Sequence, residues 1–577
     1  MNGWRKTLRL WPWLAAIASG SLCAACLAPF NQSWLSWIAL APLIAAIWFS
    51  GKDSRRKWLR DLLLGYVAGI VFFTGAFSWL GALGSLFENL FLHGLSLLLS
   101  LYLGLNFAFW SWLVGLIRPV EAPLSGVSAA NETQKTKWDE MLARAGKSTA
   151  AALGSPWLKS TTNLRLAFCL ACAWVTHEWI RGWLFSGFGW NGLGVALHAN
   201  WPIIQIAEFT GVAGLSFAIA FVNVTAVTTT RRLILEARTH RMRPHYDLTL
   251  TMAAIVGLLA FGMHVSQFKS AAKSVRVAAV QPNVAQRQKF DPQFTQQIFD
   301  RFTHLSEIAL RTNPPPELLI WPESSTPGPV LEDEESYHFV MDFAASAKTD
   351  LLLGTIDVDE GHAYNAAFLI SQGGENVQVY RKIHLVPFGE YIPLRRSFSI
   401  FAMVASRWVP GDFTAGRDFT VLKASSGTAK IAALICFEDT VGDLTRKFVL
   451  EGGANLLVNI TNDGWFLHSA GSQQHLANAV FRCVETRRPM VRAANTGVTC
   501  FVNEFGRVTQ KLQGEDGSTF TEGVLTGDVD LPTDHTLTFY TRYGELFAKL
   551  CACVTLLVII VSGAQFVRRK RADKIAR

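Results

Sequence analysis

The stretch Ala433-Leu434-Ile435-Cys436-Phe437-Glu438-Asp439 decides how the middle of this chain folds. It completes an apolar, β-branched run from Ile431 to Cys436 that is too short for a helix and reads as a buried strand. Side chains able to do chemistry follow where the run stops, which is where α/β folds build their sites. Two further runs end the same way: Trp321-Pro322-Glu323-Ser324-Ser325-Thr326-Pro327, and Tyr380-Arg381-Lys382-Ile383-His384-Leu385-Val386-Pro387-Phe388-Gly389-Glu390-Tyr391.

Around these motifs, short apolar runs such as Val275 to Val280, Leu318 to Trp321, Leu351 to Gly354 and Asn455 to Ile460 alternate with helix-like stretches, Phe294 to Arg311 and Gln473 to Glu485. Residues 274 to 532 therefore read as one globular α/β domain, and its roughly 260 residues suffice for a complete core. Glu323, Lys382 and Cys436 together can run acyl transfer. A carboxylate takes the thiol proton, the thiolate attacks a carbonyl, and an ammonium stabilises the oxyanion. Each residue alone has a blander reading. Cys436 could be a small buried hydrophobe, Glu323 a helix cap and Lys382 a solvated strand edge. His384, flanked by Ile and Leu, reads as structural, and Asp463 either orients a loop beside the pocket or caps a surface turn. The order and flanks of the three motifs favour chemistry.

Outside this domain the chain is dominated by apolar stretches of spanning length. Seven precede it, near residues 11 to 29, 33 to 50, 62 to 84, 90 to 117, 165 to 185, 203 to 230 and 247 to 265, and an eighth runs from 546 to 567. About 20 apolar residues cross roughly 30 Å of hydrocarbon as a helix. The first stretch follows a basic terminus but has no clear small-x-small cleavage site, so it reads as a retained span. Half of the 577 residues are apolar, with 20 Trp and 39 Phe, which fits a membrane part with wide interfacial zones. The net charge of +9 does not read as a nucleic-acid footprint, because the basic residues collect in short loops and at both ends.

Those loops set an orientation. Lys52, Arg55, Arg56, Lys57 and Arg60 lie between stretches two and three, Arg231, Arg232, Arg238, Arg241 and Arg243 between six and seven, and Arg568 to Arg571 form a basic tail. Positive loops stay cytoplasmic, so both termini are predicted inside and residues 274 to 532 outside the membrane. The division is then 1–273 membrane part, 274–532 exported domain and 533–577 final span with its tail. Residues 118 to 162, rich in Ala, Ser, Thr and Lys, read as a cytoplasmic linker with little core. Six of the nine Cys lie in apolar segments, leaving Cys436, Cys483 and Cys500 for the exported domain. The pairs Cys23/Cys26 and Cys169/Cys172 sit among Ala and Leu and read as helix packing. No zinc pattern, phosphate loop or dinucleotide fingerprint stands in a suitable context, so neither metal nor cofactor is predicted.

The three motifs in this order resemble the Glu-Lys-Cys carbon-nitrogen hydrolase, or nitrilase, superfamily. Seven spans, a nitrilase domain and a last span are similar to its membrane-embedded branch, the apolipoprotein N-acyltransferases. The resemblance covers nearly the whole chain apart from 118 to 162. It is most specific in Lys382 through Tyr391, in Thr461-Asn462-Asp463-Gly464-Trp465-Phe466, and in Arg492-Ala493-Ala494-Asn495-Thr496-Gly497. It implies a multi-pass helical membrane domain of about eight spans joined to an exported α/β domain with the αββα sandwich of nitrilases. It implies Glu323 as general base, Lys382 as oxyanion stabiliser and Cys436 as nucleophile, with Glu390 and Glu438 in support. The acyl donor implied is a phospholipid, commonly phosphatidylethanolamine, and the acceptor is the α-amino group of a diacylglyceryl-cysteine on a lipoprotein. One departure is Phe437, where members often carry Tyr; its ring can still wall the pocket with Trp465.

Two other readings make different demands. A membrane-tethered amidase shares the triad but needs one anchor, not seven preceding spans. A transporter needs charges buried mid-span, whereas Glu88, Glu178 and Glu208 fall near span ends or in apolar surroundings. The stretch Phe398 to Trp408, with Phe401, Met403, Val404 and Trp408, is apolar enough to be a lid dipping toward the bilayer, or else a core helix.

Overall fold

A computed structural model describes residues 2–51, 56–119, 155–240, 242–267, 272–392, 412–534 and 536–575. Among these, residues 272–532 form twelve strands: β1 (Ala272–Gln281), β2 (Leu318–Ile320), β3 (Asp350–Asp359), β4 (His362–Ile370), β5 (Val377–Arg381), β6 (Leu422–Lys423), β7 (Lys430–Ile435), β8 (Leu456–Thr461), β9 (Met490–Ala494), β10 (Cys500–Val502), β11 (Val508–Lys511) and β12 (Gly523–Pro532). They make two six-stranded sheets ordered β12-β1-β2-β3-β4-β5 and β11-β10-β9-β8-β7-β6. The inner strands β1, β2, β3 and β7, β8, β9 run parallel, as βαβ crossovers require. Strand side chains alternate between faces. Val277, Leu318, Ile320 and Leu352 therefore join the second sheet's Ile431, Ile435 and Val458 in one core, while Ala278, Leu319, Leu351 and Leu353 meet Ile298, Phe302 and Val340 of the helices Thr295–Leu310 and Glu334–Ala347. The helices Gly442–Leu450 and Gly471–Thr486, which form the β7–β8 and β8–β9 crossovers, cover the second sheet, completing an αββα sandwich.

Among the described residues, five helices are long and apolar enough to cross a membrane: Lys57–Ala76, Leu95–Leu116, Val212–Thr239, Tyr246–Val265 and Leu546–Ala572. The other three expected stretches are helical but fall short for identifiable reasons. The second breaks into a 3₁₀ turn, Ser33–Trp37, and a nine-residue helix, Ala41–Phe49, which rises only about 14 Å. The fifth, Ser160–Arg181, carries Asn163, Arg165, His177, Glu178 and Arg181, which lower its hydropathy. The first contains an apolar helix, Leu10–Ala25, of sub-spanning length. Tyr246–Val265 and Leu546–Ala572 are 11% buried along their most apolar windows, so Leu556, Leu557 and Ile560 need lipid against them.

Two loop expectations change. The basic loop 231 to 246 is largely helix, since Val212–Thr239 carries Arg231, Arg232 and Arg238. Arg232 is buried, pairing with Glu236 at 2.9 Å and Asp247 at 3.1 Å. The linker 118 to 162 is described at its ends only. There Trp157 and Leu158 are buried, Trp157 against Trp48 at 5.1 Å, so the end of this segment belongs to the core. The transporter reading's three glutamates are ties. Glu178 accepts from Trp174 Nε1 (2.8 Å) and Leu193 N (2.7 Å), while Glu208 pairs with Arg487 (2.7 Å) and Glu88 with Arg287 (2.9 Å) of the sandwich.

Candidate active site

Glu323, Lys382 and Cys436 lie at the ends of different strands, and the two sheets bring them together. Glu323 follows β2 in a turn held by Gly354 N donating to Pro322 O (3.1 Å) and Ser325 N to Gly354 O (2.7 Å). A Cβ on Gly354 would sit 2.7 Å from the Glu323 Cα, so only glycine permits this approach. Glu323 Oε1 accepts from Asn365 Nδ2 at 2.8 Å, whereas its buried Oε2 has no hydrogen-bond partner among the described residues. Lys382 follows β5, is buried, and donates to Glu390 Oε1 at 2.9 Å with Glu323 Oε1 at 4.0 Å. Burial alone would pull this ammonium down; Glu390 and then Glu323 outweigh it and hold it well above its ordinary range. Glu390 also accepts from Asn365 Nδ2 (2.8 Å) and Val386 N (2.8 Å), closing its own loop around the lysine.

Cys436 ends β7 at φ 52°, a conformation that costs a non-glycine residue about 1 kcal/mol or more and turns its side chain out of the sheet. Burial, reinforced by Glu323 and opposed by Lys382, pushes its thiol well above the ordinary range. The thiol is protonated at neutral pH, and a base must take its proton during attack. Its carbonyl accepts from Asn459 Nδ2 (3.1 Å) and His475 Nε2 (3.3 Å). Glu438, fully buried, does not reach the reacting groups. It accepts from Ile435 N (2.9 Å), Ile383 N (2.8 Å), His384 N (3.0 Å) and the Tyr380 hydroxyl (2.8 Å), pinning the ends of β5 and β7 to each other. Burial raises its carboxyl.

Phe437 faces the membrane part. Its ring stacks on Phe188 (6.0 Å), Trp190 (5.7 Å) and, within the sandwich, His384 (5.7 Å). His384 therefore serves as packing. Trp465 is partly exposed, 6.1 Å from Phe87 of the membrane part. Phe401 and Trp408 lie outside the described residues. Asp463 is not a surface turn: with Asp439, His475 and Arg492 it forms a fully buried network, Arg492 reaching Asp463 at 2.9 Å and Asp439 at 3.1 Å. Burial alone would raise Asp463, but Arg492 and His475 hold it below its ordinary range. Burial would likewise lower His475, but Asp439 holds it above.

Residues 276–534 match the carbon-nitrogen hydrolase family, and residues 19–131 and 141–225 match the apolipoprotein N-acyltransferase N-terminal domain. An apolipoprotein N-acyltransferase of Geobacter metallireducens is 32% identical over 95% of this chain and 94% of its own length. The chain belongs to the apolipoprotein N-acyltransferase family. A second member, from Bradyrhizobium diazoefficiens, is 27% identical over 97% of this chain and 95% of its own. A carbon-nitrogen hydrolase from Helicobacter pylori aligns structurally with a TM-score of 0.34 at 16% identity, over 48% of this chain and 94% of its own.

As a member of the apolipoprotein N-acyltransferase family, the chain is an enzyme, and the groups that surround its three central residues include several that the motifs did not mark. Asn365 bridges Glu323 and Glu390; its signal was a lone amide in the apolar strand Asn365 to Ile370. Lys289 donates to the Glu323 carbonyl at 2.7 Å, and no local pattern around it singled it out. His475 sits on a helix whose polar face looks solvated in sequence.

Proposed function

We infer that this chain moves a fatty acyl group from a membrane phospholipid to the α-amino group of a lipoprotein's N-terminal diacylglyceryl-cysteine. What carries the reading is one juxtaposition: a Cys, a carboxylate and a buried ammonium lie together at three strand ends, beside Phe437, whose ring forms one aromatic wall with membrane-part rings. A soluble amide substrate gives no reason for such a wall.

Glu323 Oε2 takes the Cys436 proton as Sγ attacks the donor's ester carbonyl, and Lys382 stabilises the oxyanion. The C–O bond breaks, the glycerol oxygen receives the proton from Glu323, and lysophospholipid leaves an acyl thioester on Cys436. The lipoprotein amine attacks the thioester, Glu323 takes the amine proton and returns it to sulfur, and the amide is complete. Glu390 sets Lys382, and Glu438 sets Cys436. Phe437 and Trp465 exclude water that would hydrolyse the thioester. Phosphatidylethanolamine is the donor. The apolar segments Asn2–Ala25, Ser33–Phe49 and Ser160–Arg181 add to the five long apolar helices to make an eight-span bundle over 1–273 and 533–577, with 274–532 in the periplasm and both termini in the cytoplasm.

Protein incubated with phosphatidylethanolamine vesicles alone is expected to gain one acyl mass on the Cys436 peptide, labile to neutral hydroxylamine. Diacylated lipopeptide then discharges it and appears triacylated. Absence of the adduct in turning-over enzyme, or its appearance on the buried Cys483 or Cys500, overturns the mechanism. Phosphatidylglycerol serving equally well removes the headgroup assignment.

A further inference from the structure

Lys289 stands beside the triad, and no step above uses it. It lies on the loop after β1, is 4% exposed, and donates from Nζ to the Glu323 carbonyl oxygen at 2.7 Å. Burial pulls its ammonium down to about 7, against the pull of Glu323 and Cys436. Its partner is the backbone of the base and not the reacting carboxylate, so its grip sets the turn from which Glu323 projects. That turn needs setting: Ser324 is at φ 52°, and Glu323 Oε2 has nothing to hold it.

The same loop is fastened at two other points. Gln286 Oε1 accepts from Asn462 Nδ2 at 2.6 Å, beside the Trp465 turn. Arg287 reaches into the membrane part, donating to Ser85 O (3.0 Å) and Leu86 O (2.9 and 3.1 Å) and pairing with Glu88 Oε1 (2.9 Å). Residues 85–88 run from the end of the short helix Ala82–Leu86 of the membrane part toward the next, Leu90–His93, and the next residue but one after Arg287 is Lys289. Five hydrogen bonds and two residues of chain thus connect a membrane-part segment to the base.

We propose that Lys289 is a positioning residue for Glu323, and that Arg287 sets Lys289 according to where residues 85–88 of the membrane part stand. This rests on the acyl-transfer reading for its purpose, since a base tuned by the membrane part acts when lipid is in place. It does not rest on that reading for its test.

The rate at which iodoacetamide alkylates Cys436 in full-length protein in nanodiscs, followed on its peptide by mass spectrometry, reports the base without any lipid substrate. Lys289→Met is expected to slow alkylation about fivefold or more in otherwise unaltered protein and less than twofold in Glu323→Gln protein, because residues acting through one another are non-additive. Arg287→Ala, at an exposed side chain, is expected to slow it about threefold or more, and to add little to Lys289→Met. The proposal is overturned if Lys289→Met reacts like unaltered protein, if it slows both backgrounds equally, or if Arg287→Ala has no effect. Should Lys289→Met not fold, Arg287→Ala on the two Glu323 backgrounds decides by the same criteria. Normal alkylation behaviour with no triacylated product would sink the acyl-transfer reading alone.

Discussion

Cys436 and Glu323 present opposite problems to the chain, and each is solved by neighbours distant in sequence. The thiol, pushed up by burial and by Glu323, must be deprotonated, yet Glu323 affects it in two ways. As a charge it raises the thiol, and as a base it removes the proton. Glu323→Gln separates them: alkylation of Cys436 falls if the base role dominates, as expected here, and rises if only the charge matters. In turnover, Glu323→Gln, Lys382→Ala and Cys436→Ala are each expected to lose about 10³-fold or more, with double variants hardly worse than singles. A triacylation assay of the six proteins checks this, and near-normal turnover by Lys382→Ala would refute its oxyanion role. That these three residues stand at strand ends was legible because each follows a short run that reads as a strand. Lys289 and His475 were not, because their significance is a partner 34 and 39 residues away and neither disturbs a local pattern.

At the scale of an element, the helix Gly471–Thr486 joins the two parts of the molecule. Gln474 accepts from Trp79 Nε1 (3.0 Å) and Asn191 Nδ2 (2.8 Å) and donates to Ala28 O (2.8 Å) and Ala76 O (2.9 Å), so one buried amide caps three membrane-part segments. At its other end, buried Glu485 accepts from Arg482 (2.7 Å) and Val212 N (3.3 Å). Burial pushes Glu485 up to about 7 from an ordinary 4.5, with Arg482 opposing. A carboxyl raised in the fold keeps a proton that the unfolded chain has already released. Between about 4.5 and 7 stability therefore falls as pH rises, and above about 7 the loss is complete. Between pH 5 and 8 the melting temperature of unaltered protein is expected to drop more than that of Glu485→Gln, which cannot titrate. Parallel melting curves across that range would show that Glu485 does not carry this dependence. The sequence predicted this helix within a residue or two of its ends, but its amides looked like an ordinary solvated face. Only docking shows them to be buried.

For the whole molecule, the two parts are tied at separated points, Glu88 to Arg287, Glu208 to Arg487 and Asn191 to Gln474, while Phe437 stacks across the same boundary. The orientation is tested by fusion: alkaline phosphatase joined after residue 290 is expected to be active and after residue 240 inactive. The reverse pattern would put the catalytic pocket in the cytoplasm and remove its access to exported lipoproteins. Arg232 weakens one signal behind this orientation, since its charge is spent on Glu236 and Asp247 inside the protein, but Arg238 and the tail retain theirs on helix ends.

By itself the sequence determined the α/β domain, its strand-end triad and the apolar stretches, because strand length, side-chain alternation and spanning length are local properties of a chain. It counted eight apolar stretches where five helices among the described residues are long and apolar enough to span, since a count of apolar residues does not see a turn such as Ser33–Trp37. Only the tertiary structure decided which polar groups meet: Asn365 between two carboxylates, Glu438 beneath Cys436, Lys289 under the base. A buried hydrogen bond is specified by two surfaces brought together, and neither strand nor loop carries the other's half of it.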